Sequence, residues 1–333
     1  MKIDLFKKLK VLNKNIFLIL ILSLIAPKHS VGGSFNFTLQ GTASGFQQPP
    51  LYAFTSHTFT NCGASGMNGP SLANCVSAYS GQAWASSTSY LNMTTAGIQL
   101  WTVPKTGTFR ILARGANGGS PGNGQIGGYG AAIQGDFSLN KGDVLKILVG
   151  QSGVSGNGDD SSGGGGTFVV KSDNTILVIA GGGGGSGTGS CGSKDPTIAD
   201  PANSGCPESG CSAGSGGTGG AGGTVSNCSY HSSAGGGFSG NGANSNSGYG
   251  STGGTAFLNG GTGGGSELPG GFGGGGGSHS VGGKGSGGGG YSGGGGGPGW
   301  SSGGGGSSKN NGSNQSNTAA SNSGMGSVFI QAL

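Results

Sequence analysis

Six uninterrupted runs of four or five glycines, at 163–166, 181–185, 273–277, 287–290, 293–297 and 303–306, constrain this chain more than any other feature. Glycine has no side chain to bury and loses the most backbone entropy on ordering, so such runs cannot build an ordinary hydrophobic core. Glycine supplies 86 of the 333 residues, without a sustained G-X-Y register and with only 11 prolines, which excludes a collagen triple helix. Two readings compete. The runs are flexible Gly/Ser linkers, or they are extended left-handed helices with three residues per turn. In the second case the outward N–H and C=O groups satisfy those of neighbouring runs, because no Cβ holds the backbones apart. Similar run lengths, turn residues between runs (Ser278-His-Ser280, Ser301-Ser302) and aromatic residues at the run edges (Phe272, Tyr291, Trp300) favour packed helices.

Large apolar residues are divided unequally. From Leu51 to Gly150 they occupy 29 of 100 positions, and from Gly181 to Gly326 only 13 of 146. The first part can bury a side-chain core, and its pattern is β. In Phe109–Arg114, Phe109, Ile111 and Ala113 point one way and Arg110 and Arg114 the other, the period of a half-buried strand. Residues 143–149 read as a strand from their apolar and β-branched density, and further strands are expected at 52–59, 98–103, 131–137, 167–170, 175–180 and 327–332. Short strands with turn signals between them suggest a two-sheet sandwich. The last strand has no apolar neighbours in sequence, so it must return to strands formed before residue 180. The expected layout is a lead-in at 31–51 and a single domain at 52–333. Its β-sandwich strands lie at 52–180 and 327–332, around a glycine-rich insertion at 181–326.

The start of the chain reads as a secretory signal peptide over residues 1–30: a Lys-rich beginning, then the apolar run Ile16–Ala26, broken only by Ser23. That run falls short of the ~20 residues a bilayer span needs, and no later segment approaches it. Pro27 after Ala26 makes a poor cleavage signal, so an uncleaved anchor is the competing reading. The even set of six cysteines, Cys62, Cys75, Cys191, Cys206, Cys211 and Cys228, suits disulfides in an exported chain better than zinc, since no pair is C-x-x-C and the histidines are dispersed. Cys62 and Cys75 close a short loop, and the other four pair in three possible ways. Five N-x-S/T sequons begin at Asn36, Asn92, Asn227, Asn311 and Asn314. The net charge of +5 resides in the first 30 residues. Beyond Ser30 nine basic residues face nine acidic ones, so no basic stripe for nucleic acid exists.

Several motifs together resemble one family. Phe59-Thr-Asn-Cys-Gly-Ala-Ser-Gly66 with Gly69-Pro70, Cys75 and Tyr79 is followed by Gly97-Ile-Gln-Leu-Trp-Thr-Val-Pro104 and Ala113-Arg-Gly-Ala-Asn-Gly-Gly119. Ile147-Leu-Val-Gly-Gln151, the run at 270–277 and the stretch 287–297 come next. In this order they look like the extracellular glycine-rich domain of the anaplastic lymphoma kinase and leukocyte tyrosine kinase receptors, over about Tyr52 to the end. The resemblance implies a TNF-like antiparallel β-sandwich of jelly-roll type, an inserted bundle of hexagonally packed polyglycine-II helices, and a Cys62–Cys75 bridge. Those receptors continue into an epidermal-growth-factor-like module, a membrane span and a kinase, which these 333 residues do not contain. Neither H-R-D, D-F-G nor V-A-I-K occurs in the setting a kinase needs. The surface acids through which the receptors bind a helical cytokine do not map onto this sequence, so that partner is not carried over.

No catalytic constellation stands out. Gly283-Lys-Gly-Ser286 misses the P-loop pattern, and Asp159-Asp160 reads as a solvated turn. No cofactor and no metal is expected. The expected function is therefore a non-enzymatic, secreted or cell-surface recognition or adhesion module for a protein or cell-surface ligand, without nucleic acid. Its best contact surface is the disulfide-braced loop Cys191–Cys228. The alternatives are a self-associating structural or matrix protein and a secreted enzyme.

Overall fold

A computed structural model describes residues 48–333 apart from 123, 157, 190–194, 247–249, 281 and 283. The chain divides into Met1–Gln47 and Gln48–Leu333. The expected signal segment 1–30 and most of the lead-in lie outside the described residues. The end of the lead-in is held by Leu51 N–H, which donates to the Pro104 carbonyl at 2.9 Å.

The second unit is mainly β. Its strands are β1 (Ser56–Phe59), β2 (Leu91–Thr95), β3 (Ile98–Thr102), β4 (Gly107–Arg114), β5 (Gly130–Leu139), β6 (Val144–Leu148), β7 (Thr167–Lys171), β8 (Ile176–Ala180), β9 (Lys309–Asn310), β10 (Ser313–Asn322) and β11 (Ser327–Ala332). One helix, α1 (Leu72–Ala78), follows β1. The strands form two antiparallel sheets, ordered β1-β11-β4-β5-β10 and β2-β3-β6-β7-β8-β9. Strands β4 and β5 of the first sheet pack on β7 and β8 of the second, giving a β-sandwich. In β4, Phe109, Ile111 and Ala113 are fully buried while Arg110 and Arg114 are half-buried, following the period-2 pattern. The last strand β11 lies between β1 and β4, with Phe59 opposite Val328 and Ile330 opposite Ile111.

Three features depart from the expected layout. Strand β1 starts at Ser56 instead of residue 52, and β2 and α1 were not anticipated. Strands β9 and β10 occupy 309–322, inside the segment read as insertion to residue 326. The reason is that β10, Ser-Asn-Gln-Ser-Asn-Thr-Ala-Ala-Ser-Asn, is a polar edge strand, held by ladder bonds to β5 and needing no apolar face. Helix α1 does carry a signal: Ser71 caps it and exchanges bonds with Asn74, and Leu72, Cys75, Val76 and Tyr79 share one face.

Strands β7 and β8 of the second sheet are buried on both sides. Val169 and Val178 face the sandwich core, whereas Phe168, Val170 and Ile179 pack on Phe257 and Phe272 from the glycine-rich segment. Phe168 stacks on Phe257 with ring centroids 4.9 Å apart. This aromatic layer joins the sandwich to the glycine region.

All six glycine runs are buried. Their backbones bond one another at intervals of three residues. Gly182 and Gly185 donate to Gly289 and Ser286 (2.7 and 2.8 Å), Gly163 and Gly166 to Gly276 and Gly273 (3.0 and 2.9 Å), and Gly285 and Gly288 to Ser301 and Gly304 (both 2.9 Å). The run 287–290 is enclosed on every side. Gly287, Gly288 and Gly289 donate to Ser233, Gly304 and Gly164, while Gly276, Gly294 and Gly182 donate back to Gly287, Gly288 and Gly289. Successive residues thus address six different segments. A Cβ on Gly289 would overlap the Gly273 carbonyl, and one on Gly275 the Gly163 carbonyl. Mutual backbone bonding, not side-chain burial, fills this region.

Candidate functional site

At one end of the glycine-rich region three short segments converge. The first is a tight hairpin in which Glu208 and Cys211 exchange backbone bonds (3.2 and 2.9 Å) around Gly210 at φ +80°. Only glycine adopts that conformation readily, and Pro-Glu-Ser-Gly is a turn sequence. The second segment is tied to the first by the Cys211–Cys228 disulfide, with Cα atoms 5.8 Å apart, and carries Tyr230. The third is the turn Pro298–Ser301. Its Gly299 N–H donates to the Tyr230 carbonyl at 2.8 Å, and Ser301 N–H donates to Pro298 at the same distance.

Gly299 is the hub. Its φ of +40° belongs to the left-handed region, and the Glu208 carboxylate lies against its Cα so closely that a Cβ would overlap Oε2. Around it opens a cleft of about 720 Å³ lined by Glu208, Cys211, Cys228, Tyr230 and Trp300 among others. A smaller cavity of about 400 Å³ shares Glu208 and Trp300 as walls. Trp300 is 51% and Tyr230 59% exposed, unusual for side chains of this size.

The electrostatics are simple. Glu208 takes part in none of the ion pairs among the described residues. Lys284 is buried, with Nζ 5.6 Å from the centre of the Tyr230 ring. Burial holds its ammonium below the usual lysine range, against the opposing pull of Asp160. Asp160 corrects the expected solvated pair: Asp159 is exposed, but Asp160 is buried and its Oδ1 accepts the Lys284 N–H at 2.9 Å. It anchors the chain because a buried carboxylate requires donors.

Of the cysteines, Cys62 and Cys75 are bridged with Cα atoms 4.9 Å apart, linking the turn after β1 to α1. Cys206 is also disulfide-bonded, and Cys191 lies outside the described residues. The structure brings Cys211 and Cys228 to the cleft and keeps Cys62 and Cys75 in the sandwich core. Sequence reasoning noted Trp300 only as a run-edge aromatic and missed its place on the cleft wall. The available signal was an aromatic directly after a Pro-Gly turn. Among the described residues no group of three or more His, Cys, Asp or Glu could hold a metal ion.

The fold and cleft define a disulfide-bonded β-sandwich module carrying a backbone-packed glycine region with a surface cleft. Across 105 residues, 31% of its length, the chain is 36% identical to the leukocyte tyrosine kinase receptor of Mus musculus. That stretch is 12% of the receptor, so the chain spans a small part of the relative it matches. No protein-family profile matches the chain.

Proposed function

We propose that the chain is a non-enzymatic, receptor-like recognition module, extracellular or at the cell surface, whose cleft at Trp300 receives a protein or cell-surface ligand. The carrying observation is the cleft itself: two large aromatic side chains held open to water by a disulfide and by the Gly299–Tyr230 backbone bond. Aromatic anchors on a braced support lose little entropy on binding. Similarity to a receptor tyrosine kinase and the disulfides support an extracellular setting. No helix of the described residues is long and apolar enough to cross a membrane. A binding role is favoured over a catalytic one because, among the described residues, Glu208 is the one carboxylate lining the cleft.

The reading extends to the fold. The sandwich is TNF-like, and the glycine runs are polyglycine-II helices in hexagonal array. The three-residue recurrence of the inter-run bonds and the six neighbours of run 287–290 support this. The array's role is stiffness beneath the cleft.

The test is saturable binding of the labelled, oxidised full chain to intact cells of the source organism. Trp300→Ala should lower that binding tenfold or more at equal folding. Absence of saturable binding, or binding that Trp300→Ala leaves unchanged, rejects the reading.

A further inference from the structure

Resting on that reading, we infer that the cleft takes a neutral, hydroxyl-rich ring, a glycan residue, laid against the Trp300 indole with its hydroxyls toward Glu208. Two observations converge on this chemistry. The indole of Trp300 is a flat apolar surface half open to water, and an aromatic body gains by covering that face. A pyranose ring offers C–H groups on its face and hydroxyls at its rim, which matches an indole beside a hydrogen-bonding group. Glu208 supplies that group: an ionised carboxylate is acceptor-only, with two oxygens able to take adjacent hydroxyls, and it enters no ion pair here.

A cationic ligand fits less well, although carboxylate and aromatic rings would attract one. The Tyr230 ring already has the Lys284 ammonium 5.6 Å from its centre, so a second cation laid on that ring would meet like charge. A neutral ring meets none. The cleft of about 720 Å³ is large enough for a small-molecule ligand.

The test uses the oxidised full chain with three probes: methyl α-D-mannopyranoside, cellotriose and N,N′,N″-triacetylchitotriose. Trp84 and Trp101 are 4% and 0% exposed, so a saturable shift in tryptophan emission reports Trp300. Calorimetry on variants follows. Trp300→Ala should weaken binding about tenfold or more, Glu208→Gln about fivefold, and Trp300→Phe less than Trp300→Ala. Circular dichroism confirms that each variant is folded. Sugar binding unaffected by Trp300→Ala overturns the inference, and so does saturable binding of n-butylguanidinium with no sugar bound. In the cell assay, glycosidase treatment of the cells should abolish Trp300-dependent binding. If that binding persists on stripped cells while no sugar binds, the glycan inference falls and the recognition reading stands. Absence of saturable binding to untreated cells sinks the reading itself.

Discussion

The N–H of Gly289 donates to the carbonyl of Gly164 at 2.9 Å, joining two glycine runs that a long stretch of chain separates. Neither residue has room for a side chain: a Cβ on Gly164 would strike the Asn117 carbonyl. At Gly289 a Cβ would strike the Gly273 carbonyl, and at Gly275 the Gly163 carbonyl. Gly289→Val and Gly275→Val should each destabilise the protein by about 3 kcal/mol or more. That corresponds to a fall in Tm of about 6–12 °C by calorimetry. Gly81→Ala, at an exposed site with open space around it, should leave Tm nearly unchanged. Unaltered melting in both valine variants would refute a packed backbone core.

Backbone bonding also protects against proteases, since a segment must open locally before it is cut. Limited digestion of the oxidised chain with a broad-specificity protease, read by mass spectrometry, should leave 235–306 as intact as the strands. Trypsin is unsuitable, because Lys194, Lys284 and Lys309 are its only sites after residue 180. Rapid loss of 235–306 with survival of 52–180 would mark the runs as tethers.

His57 sits edge-on to Phe59, Tyr79 and Trp84, with ring centroids 4.8, 4.5 and 5.0 Å away, and its Nε2 has no hydrogen-bond partner. Burial lowers its pKa from 6.5 to about 4. The unfolded chain therefore binds the proton first, so stability is full above pH 6.5 and declines as pH falls toward 4. His231, lowered by burial, acts in the same direction. Asp136 contributes later: its hydrogen bonds with Arg110 and then Asn314 bring its pKa to about 2, so its stabilisation is lost only below the ordinary carboxylate range. Tm measured from pH 7 to 4 should fall, and His57→Phe should flatten that fall. A Tm independent of pH over this range would contradict the assignment.

Cys75 is fully buried, and its bridge to Cys62 ties α1 to the turn after β1 beside Tyr79. The Tyr79 hydroxyl donates to Gln99 Oε1 at 2.9 Å and accepts Thr60 N–H at 2.8 Å. Replacing both cysteines with serine should lower stability by about 3 kcal/mol, the chain-entropy value for a loop of this length. Chemical denaturation checks the value, and a midpoint equal to the parent's would show the bridge to be idle.

Much of the sandwich was legible along the chain, because a strand with one buried face writes its period into neighbouring residues. Phe109, Ile111 and Ala113 announce β4, and the isolated apolar cluster of β11 implies a distant partner. Strand β10 wrote no such mark: its mostly exposed polar residues pair with β5 through the backbone ladder and through the Ser313 and Asn314 side chains, which donate to Asp136. The 191–228 loop was legible as a cysteine-rich stretch, but the cleft needs Tyr230, Gly299 and Trp300 brought to Glu208, and no local pattern links those positions.

Local patterning along the chain specifies a short-strand β part able to bury side chains, cysteines suited to bridges, and glycine runs able to pack without side chains. Long-range packing set which run lies beside which, that β7 and β8 are buried on both faces, and that Trp300 stands open beside Glu208. The physical reason is that glycine–glycine packing rests on N–H and C=O groups identical at every residue. Partner choice among the runs therefore leaves no trace in residue type, and it is settled only when the whole array closes.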